Sequence, residues 1–411
     1  MATFTLTYPK GNSTVLVNST SFDNVFFIDT DTAPAGTGND SVTINGSYDT
    51  VTAVLYGGND VYTAEPIGSG GSFGNRIDIV NGGAGNDTIN GGAGEDVLTG
   101  GLGRDLLNGG YGNDAIYGDD PVDFPGLGDR DTIYGYYGDD YIEGGVGNDT
   151  IFGGVGNDQI YGQENSDTIQ GDFGDDYIEG GDLGDIIRGG DGFDTIYGDD
   201  PFGGPGGNDS LYGGTSGDII VGGVGNDLIY GGDGIDILDG GDEFNGDVGD
   251  LGDKMFGGSG NDTMRGGAGG DLMYGDDNQD LMHGNTGNDT MFGGGANDTM
   301  WGDEGNDTLT GGPGFDKFVF DGSIAAGLGD DIVLDFNKTF DDLVFIGVYD
   351  DENGDSAVDW QDAMVHATQF SGYVLFDLGA GLGPGAVPGD SVRVNGALLA
   401  HFNINNIDVQ V

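Results

Sequence analysis

Asp78, Asp87, Asp96, Asp105 and Asp114 stand nine residues apart. The spacing resumes in Asp131, Asp140, Asp149, Asp158, Asp167, Asp176, Asp185 and Asp194, then in Asp209, Asp218, Asp227 and Asp236. It resumes once more in Asp253, Asp262, Asp271, Asp280, Asp289, Asp298, Asp307 and Asp316, which makes 25 aspartates in phase. Each follows a cluster of glycines, as residues 82–110 show: GGAGNDTINGGAGEDVLTGGLGRDLLNGG. Hard carboxylate oxygens interleaved with glycine carbonyls suit Ca²⁺, which takes about six to eight oxygen ligands in a flexible shell.

The elements that must position these carboxylates follow from the unit G-G-x-G-x-D-x-U-x, with U a large aliphatic residue. Three glycines supply positive φ and close backbone approach, and so a turn. The D-x-U-x segment supplies a short strand with one inward side chain. One such unit buries a single Ile or Leu and cannot stand alone. Stacking two units per coil into a solenoid of about a dozen coils, with strands about 4.8 Å apart, buries a continuous core. The expected fold is all-β, a parallel β-roll or β-helix. Stacking also sets Asp above Asp, and like charges about 4 Å apart repel by about 1 kcal/mol in water and about 4 kcal/mol at an effective dielectric of about 20. A cation is therefore expected as a condition of folding.

These repeats resemble the RTX, or haemolysin-type, calcium-binding nonapeptide repeat, closely over residues 78–320. The resemblance implies a two-sheet β-roll in which many Ca²⁺ ions sit between turns of successive coils, held by Asp carboxylates and Gly carbonyls. GQENSDTIQ at 162–170 and GGDLGDIIR at 180–188 lack the fourth-position glycine, which puts ions there in doubt.

Composition agrees with cations as partners. Ten Lys and Arg against 72 Asp and Glu give a net charge of -62, which excludes nucleic acid as a natural ligand. Cysteine is absent, so there is no disulfide framework, thiolate metal site or catalytic thiol. No apolar run is long enough to span a membrane as a helix.

Three insertions, of eight, six and eight residues, interrupt the period at GDDPVDFPGLGDRD, GDDPFGGPGGND and GGDEFNGDVGDLGD. Each falls between an odd and an even repeat, so all three are expected to project from the same long edge of the roll. The U position changes from Ile or Leu to Met at 255, 264, 273, 282, 291 and 300, read as one core ladder. Position nine of the even repeats carries Tyr134, Phe152, Tyr212, Tyr230, Phe256, Tyr274 and Phe292, an aromatic stripe suited to protein or glycan contact. The odd repeats mix Glu143, Glu179, Asp239, Arg265 and His283 there, with fewer aromatics.

Three domains are expected. Residues 1–77 form an N-terminal β cap, with degenerate repeats at Asp40, Asp49 and Asp60; residues 78–320 form the calcium-binding roll; residues 321–411 form a C-terminal cap. In the last, DENGDSAVDWQD has EF-hand-like ligand spacing through Asp351, Asn353, Asp355 and Asp362. The following WQDAMVHATQF reads as an exiting helix. The tail from Gly389 resembles the uncleaved C-terminal secretion signal of type I, ABC-transporter substrates, and residues 1–18 lack the apolar core of a Sec-type signal. That resemblance implies export to the cell surface or medium, and the secretion machinery as a transient partner.

No catalytic motif survives inspection. His283, His366 and His401 are the three histidines and form no HExxH, and GGSFG at 70–74 lacks the strand-turn-helix context of a nucleophile elbow. The expected function is non-enzymatic: a secreted Ca²⁺-folded structural protein that assembles with itself into a surface layer, filament or matrix. The alternative is a calcium-dependent adhesin, or a protein that binds or modifies cell-surface polysaccharide.

Overall fold

The structure, a computed structural model, describes residues 3–8, 14–17, 24–29, 38–44, 50–64, 76–119, 129–202, 204–241, 252–321, 328–346, 367–371, 373–378, 391–395, 397 and 407–410. Every regular element among them is a strand. The chain divides into two compact units, Met1–Ser210 and Leu211–Val411.

Within the first unit, consecutive strands enter opposite sheets, so each strand pairs in parallel with the next but one. One sheet runs through Thr3–Tyr8, Asn24–Asp29, Thr50–Val54, Ile77–Ala84, Val97–Leu102, Ala115–Tyr117, Tyr141–Val146, Gln159–Glu164, Tyr177–Gly181 and Thr195–Tyr197. The other runs through Thr14–Val17, Ser41–Ile44, Val61–Ala64, Thr88–Ala93, Leu106–Tyr111, Thr132–Tyr137, Thr150–Val155, Thr168–Phe173 and Ile186–Asp191. The architecture is a two-sheet β-roll. The first strands, from the segment expected as a cap, extend these same two sheets, and Asp40 and Asp60 lie at the starts of paired strands. Asp49 lies outside the described residues.

The second unit repeats the arrangement. One parallel sheet holds Ile219–Val221, Ile237–Asp239, Thr263–Ala268, Leu281–Thr286, Thr299–Trp301, Lys317–Asp321, Asp342–Ile346 and Ile407–Gln410. The other holds Leu228–Asp233, Lys254–Ser259, Leu272–Asp277, Thr290–Phe292, Thr308–Thr310, Asp330–Val333 and Ser391–Asn395. Two antiparallel strands, Tyr373–Asp377 and Ala367–Phe370, complete its edge. The last four residues of the expected helix are thus a strand. Thr and Phe fit a pleated surface, and a strand partner satisfies their backbone groups.

Packing follows the period. From Ile89 to Ile196 in the first unit, the inward residue of each repeat strand is Ile or Leu with no exposed surface, while its neighbours face out. In the second unit the six methionines fill the same position, fully buried. They form two ladders on two sheets, Met255, Met273 and Met291 on one and Met264, Met282 and Met300 on the other, where the sequence reading had one. The first two insertions follow strands ending at Tyr117 and Tyr197, which belong to one sheet of the first unit, and the third follows Ile237–Asp239 in the second unit.

The outer aromatics divide into two kinds of contact. Tyr212, Tyr230, Phe256, Tyr274 and Phe292 stack face to face, with centroids 5.1, 4.6, 5.1 and 4.8 Å apart and planes within 7°. Their faces cover one another, so the stripe offers solvent mainly ring edges. In the first unit Tyr117, Tyr141, Tyr161, Tyr177 and Tyr197 instead zigzag at interplanar angles of 46–53° on the opposite sheet to Tyr134 and Phe152. That zigzag alternates positions nine and seven of the unit, and a reading confined to position nine misses it.

Because each strand touches its neighbours one coil away, damage should stay local. Ile160→Ala, a cavity at a fully buried position, is expected to cost about 2–5 kcal/mol in Ca²⁺. Amide exchange should accelerate in Tyr141–Val146, Gln159–Glu164 and Tyr177–Gly181 and leave the second unit unchanged; uniform acceleration would contradict a nearest-neighbour solenoid.

Candidate metal centre

The repeat aspartates meet along two ladders in each unit. In the first unit, the amide N–H of Asp78 donates to Oδ1 of Asp96, one coil on, at 2.7 Å. The same bond links Asp96 to Asp114, then Asp140, Asp158, Asp176 and Asp194. A second ladder runs from Asp40 through Asp60, Asp87, Asp105, Asp131, Asp149, Asp167 and Asp185 to Asp209. In the second unit the ladders are Asp218, Asp236, Asp262, Asp280, Asp298, Asp316 and Asp341, and Asp227, Asp253, Asp271, Asp289, Asp307 and Asp331. All 25 in-phase aspartates are at most 3% exposed.

An accounting of Asp87 shows what is left over. Its N–H donates to Asp105 Oδ1, its carbonyl accepts from the Leu106 N–H, and its own Oδ1 accepts from the Asp60 N–H. Only Oδ2 remains, buried and without a hydrogen-bond partner. The same holds for Oδ2 of Asp96, Asp105, Asp114, Asp131, Asp140, Asp149, Asp158, Asp167, Asp176 and Asp185, and of Asp236, Asp262, Asp280, Asp289, Asp298, Asp307 and Asp316. A buried oxygen that nothing in the chain satisfies is rare, and one repeated at coil after coil suits a cation ligand.

Glycine at the first position of the unit keeps that oxygen's surroundings clear. A Cβ on Gly91 would lie 2.5 Å from Asp96 Oδ2 and 2.9 Å from the Gly109 carbonyl oxygen, and one on Gly293 would lie 2.6 Å from Asp298 Oδ2 and 2.8 Å from the Gly311 carbonyl. Orphaned carboxylate oxygen and carbonyl oxygen thus border one small cradle, coil after coil. Among the described residues no three His, Cys, Asp or Glu side chains converge.

Burial has an electrostatic consequence. Desolvation, with neighbouring carboxylates adding to it, pushes Asp131, Asp185 and Asp289 up to about 9, and Asp105, Asp114, Asp167, Asp176 and Asp280 to about 8. Amide donation from the previous coil lowers each of them in part. Without a cation the roll therefore favours protonated aspartates, and with one it holds carboxylates.

The two departures named above fold like the rest, as do the repeats that carry Ser216, Asn278 and Ala296 at the fourth position, with left-handed φ of 82°, 79° and 87°. Asn165 and Leu183, in place of glycine, adopt the left-handed conformation with φ of 81° and 66°. Asp167 and Asp185 keep both the ladder bond and the orphaned Oδ2. Asp331 and Asp341 continue the ladders beyond Asp316, where the glycine period had appeared to end. The signal was present in GDDIV at 329–333 and in DDLVF at 341–345, which keep D-x-U with one glycine or none. A second, exposed ladder at position five also escaped the reading: the Asn157 N–H donates to Asp139 Oδ1 at 2.9 Å, and the Asp175 N–H to Asn157 Oδ1 at 3.0 Å. The recurring Asn-Asp pair was its trace. Asp351, Asn353, Asp355 and Asp362 lie outside the described residues.

A parallel β-roll whose coil edges each present a buried, half-satisfied carboxylate beside a glycine carbonyl defines an ion-binding solenoid. A family model for the RTX calcium-binding nonapeptide repeat (four copies) matches residues 74–107, 95–120, 125–160, 161–182, 179–200, 204–238, 212–246, 247–282 and 283–318. The matches span more than half of the chain, which belongs to the RTX calcium-binding repeat family, and its repeats bind Ca²⁺ at multiple sites. No curated protein matches it. Among solved structures it is similar to the extracellular lipase LipA from Serratia marcescens, at 18% identity over 63% of this chain and 44% of that one, with a TM-score of 0.24. The match spans less than half of the lipase.

Two outcomes follow. Gly293→Ala, whose backbone conformation admits alanine, should lower Ca²⁺ affinity at the Asp298 coil and raise the Ca²⁺ midpoint of folding, read by circular dichroism; an unchanged midpoint would place the ion away from the cradle. The pH dependence in chelator has a fixed sign. Folded-state values raised above the unfolded value stabilise the ion-free roll at acid pH, and that stability is lost as pH rises through about 6 to 9. In EGTA, the β structure lost at about pH 8 should return on acidification to about pH 5; no recovery would show that carboxylate repulsion is not what unfolds the chain.

Proposed function

We propose that this chain is a non-enzymatic secreted protein that folds on meeting Ca²⁺ outside the cell and then assembles with copies of itself into a surface layer, filament or matrix. The low Ca²⁺ of a cytosol leaves the carboxylate ladders repelling and the chain unfolded and threadable, and external Ca²⁺ orders it. The resemblance of the tail to a type I secretion signal supports export in that unfolded state.

One observation carries the assembly. In the first unit, Tyr111, Tyr137, Val155 and Phe173 stand directly above one another at the ends of four paired strands and are 39, 48, 44 and 56% exposed. Tyr111 and Tyr137 stack at 4.8 Å. An apolar column on the surface of a chain with a net charge of -62 is the kind of patch that protein contact buries. Ca²⁺ also neutralises the repulsion that otherwise keeps two such molecules apart.

A second reading, calcium-dependent glycan binding, draws on the tyrosine zigzag. Its rings are tilted, leaving faces open, and the hydroxyls of Tyr141 and Tyr177 donate to Glu143 and Glu179 beside them. Tyr161, Tyr177, Gln159 and Thr195 line an open cleft there.

Light scattering and electron microscopy on EGTA-treated protein titrated with CaCl₂ separate the readings. Ordered assemblies should appear as the chain folds, and Phe173→Asp should abolish them while leaving the folding midpoint unchanged. Folded monomers throughout the titration would overturn assembly, and binding on a glycan array, lost in Tyr161→Ala, would then establish the second reading.

A further inference from the structure

Asp78 differs from the repeat aspartates that follow it. We propose that the guanidinium of Arg76 takes the place of Ca²⁺ at this first in-phase repeat, giving the roll one coil that is ordered without an ion. Arg76 Nε donates to Asp78 Oδ1 at 2.7 Å and Nη2 to Asp78 Oδ2 at 2.8 Å, a bidentate pair. Nη2 also reaches the Gly91 carbonyl oxygen at 3.4 Å. Arg76 and Asp78 are 1% and 0% exposed.

Register makes the substitution specific. Gly91 stands thirteen residues after Asp78, as Gly109 does after Asp96 and Gly311 after Asp298. In those later coils the carbonyl and the orphaned Oδ2 border the cradle described above. At Asp78 the guanidinium bonds to both of the corresponding oxygens. Arg76 also occupies position four of its unit, where Gly85, Gly94 and Gly103 stand in the next three. The sequence thus exchanges a turn glycine for a tethered cation at the one repeat whose Oδ2 it then satisfies.

The effect reaches the next coil through the ladder. Asp78 donates its N–H to Asp96 Oδ1, and Ile77–Ala84 pairs along its length with Val97–Leu102. A solenoid propagates from any coil already formed, because each new coil needs only its neighbour. The Arg76 coil is therefore a built-in starting point for calcium-driven folding.

Hydrogen exchange and metal analysis test this on the full chain. In EGTA, amides of Ile77–Ala84 and Val97–Leu102 should exchange measurably more slowly than those of Gln159–Glu164, whose coil has no such cation. At saturating Ca²⁺, Arg76→Gly should bind one more ion per chain than the natural protein, and Arg76→Lys should not. Arg76→Gly should also erase the protection in EGTA and recover it on addition of Ca²⁺. Equal exchange of all three strands in the natural protein overturns the proposal without any variant. So does an unchanged ion count in Arg76→Gly, or a variant that fails to fold in saturating Ca²⁺.

Discussion

Everything in this fold turns on one carboxylate oxygen per repeat. In repeats such as that of Asp87, hydrogen bonding along the ladder satisfies the amide, the carbonyl and Oδ1 and leaves Oδ2 buried with nothing to bond. A hydrophobic core of one Ile, Leu or Met per strand is thin, and the ladder multiplies a desolvation cost coil by coil. Without cations the two terms oppose each other. The repeats bind Ca²⁺, and a cation beside these oxygens would offset that desolvation cost and couple binding to folding.

The glycines are tied to that constraint in two different ways. At first positions such as Gly91 and Gly293, φ is ordinary and the glycine is needed because a methyl would meet the carboxylate and the neighbouring carbonyl. At fourth positions it supplies the left-handed turn, and there Asn165 and Leu183 replace it at a cost of about 1–2 kcal/mol each. A local strain of that size is tolerable when both flanking coils fix the turn. Position four is therefore the more replaceable of the two, which is why the repeats at Asp167 and Asp185 keep their geometry despite breaking the motif. Arg76 uses the same latitude to bring a cation in place of a turn residue.

Period nine was enough to read a stacked solenoid of two units per coil and the inward Ile, Leu and Met, because each rests on a strict local spacing, while the two sheets came from the resemblance to the RTX repeat. What it hid lies where bonding does not need the full motif. Asp331 and Asp341 require only D-x-U above an existing coil, so the glycines that announce earlier repeats are dispensable there. The tyrosine zigzag alternates between positions seven and nine and so has no single-position signature. Ala367–Phe370 follows an amphipathic pattern that suits a helix, and becomes a strand because an edge was available to pair with it.

The exposed column of Tyr111, Tyr137, Val155 and Phe173 ties surface to ion. These residues are far apart in sequence and align only because the strands ending in them stack in register. That register is held by Asp105, Asp131, Asp149 and Asp167, whose ladder bonds join the coils concerned. These are among the aspartates that burial pushes furthest from their ordinary state, Asp131 to about 9 and Asp105 and Asp167 to about 8. The coils that align the column thus carry some of the aspartates that burial shifts most. An unfolded chain in low Ca²⁺ carries the same four side chains, but dispersed among acidic ones and without a shared face. In the assembly proposed above, association is deferred until the ion arrives, because the charge that keeps two chains apart is the charge that attracts the cation.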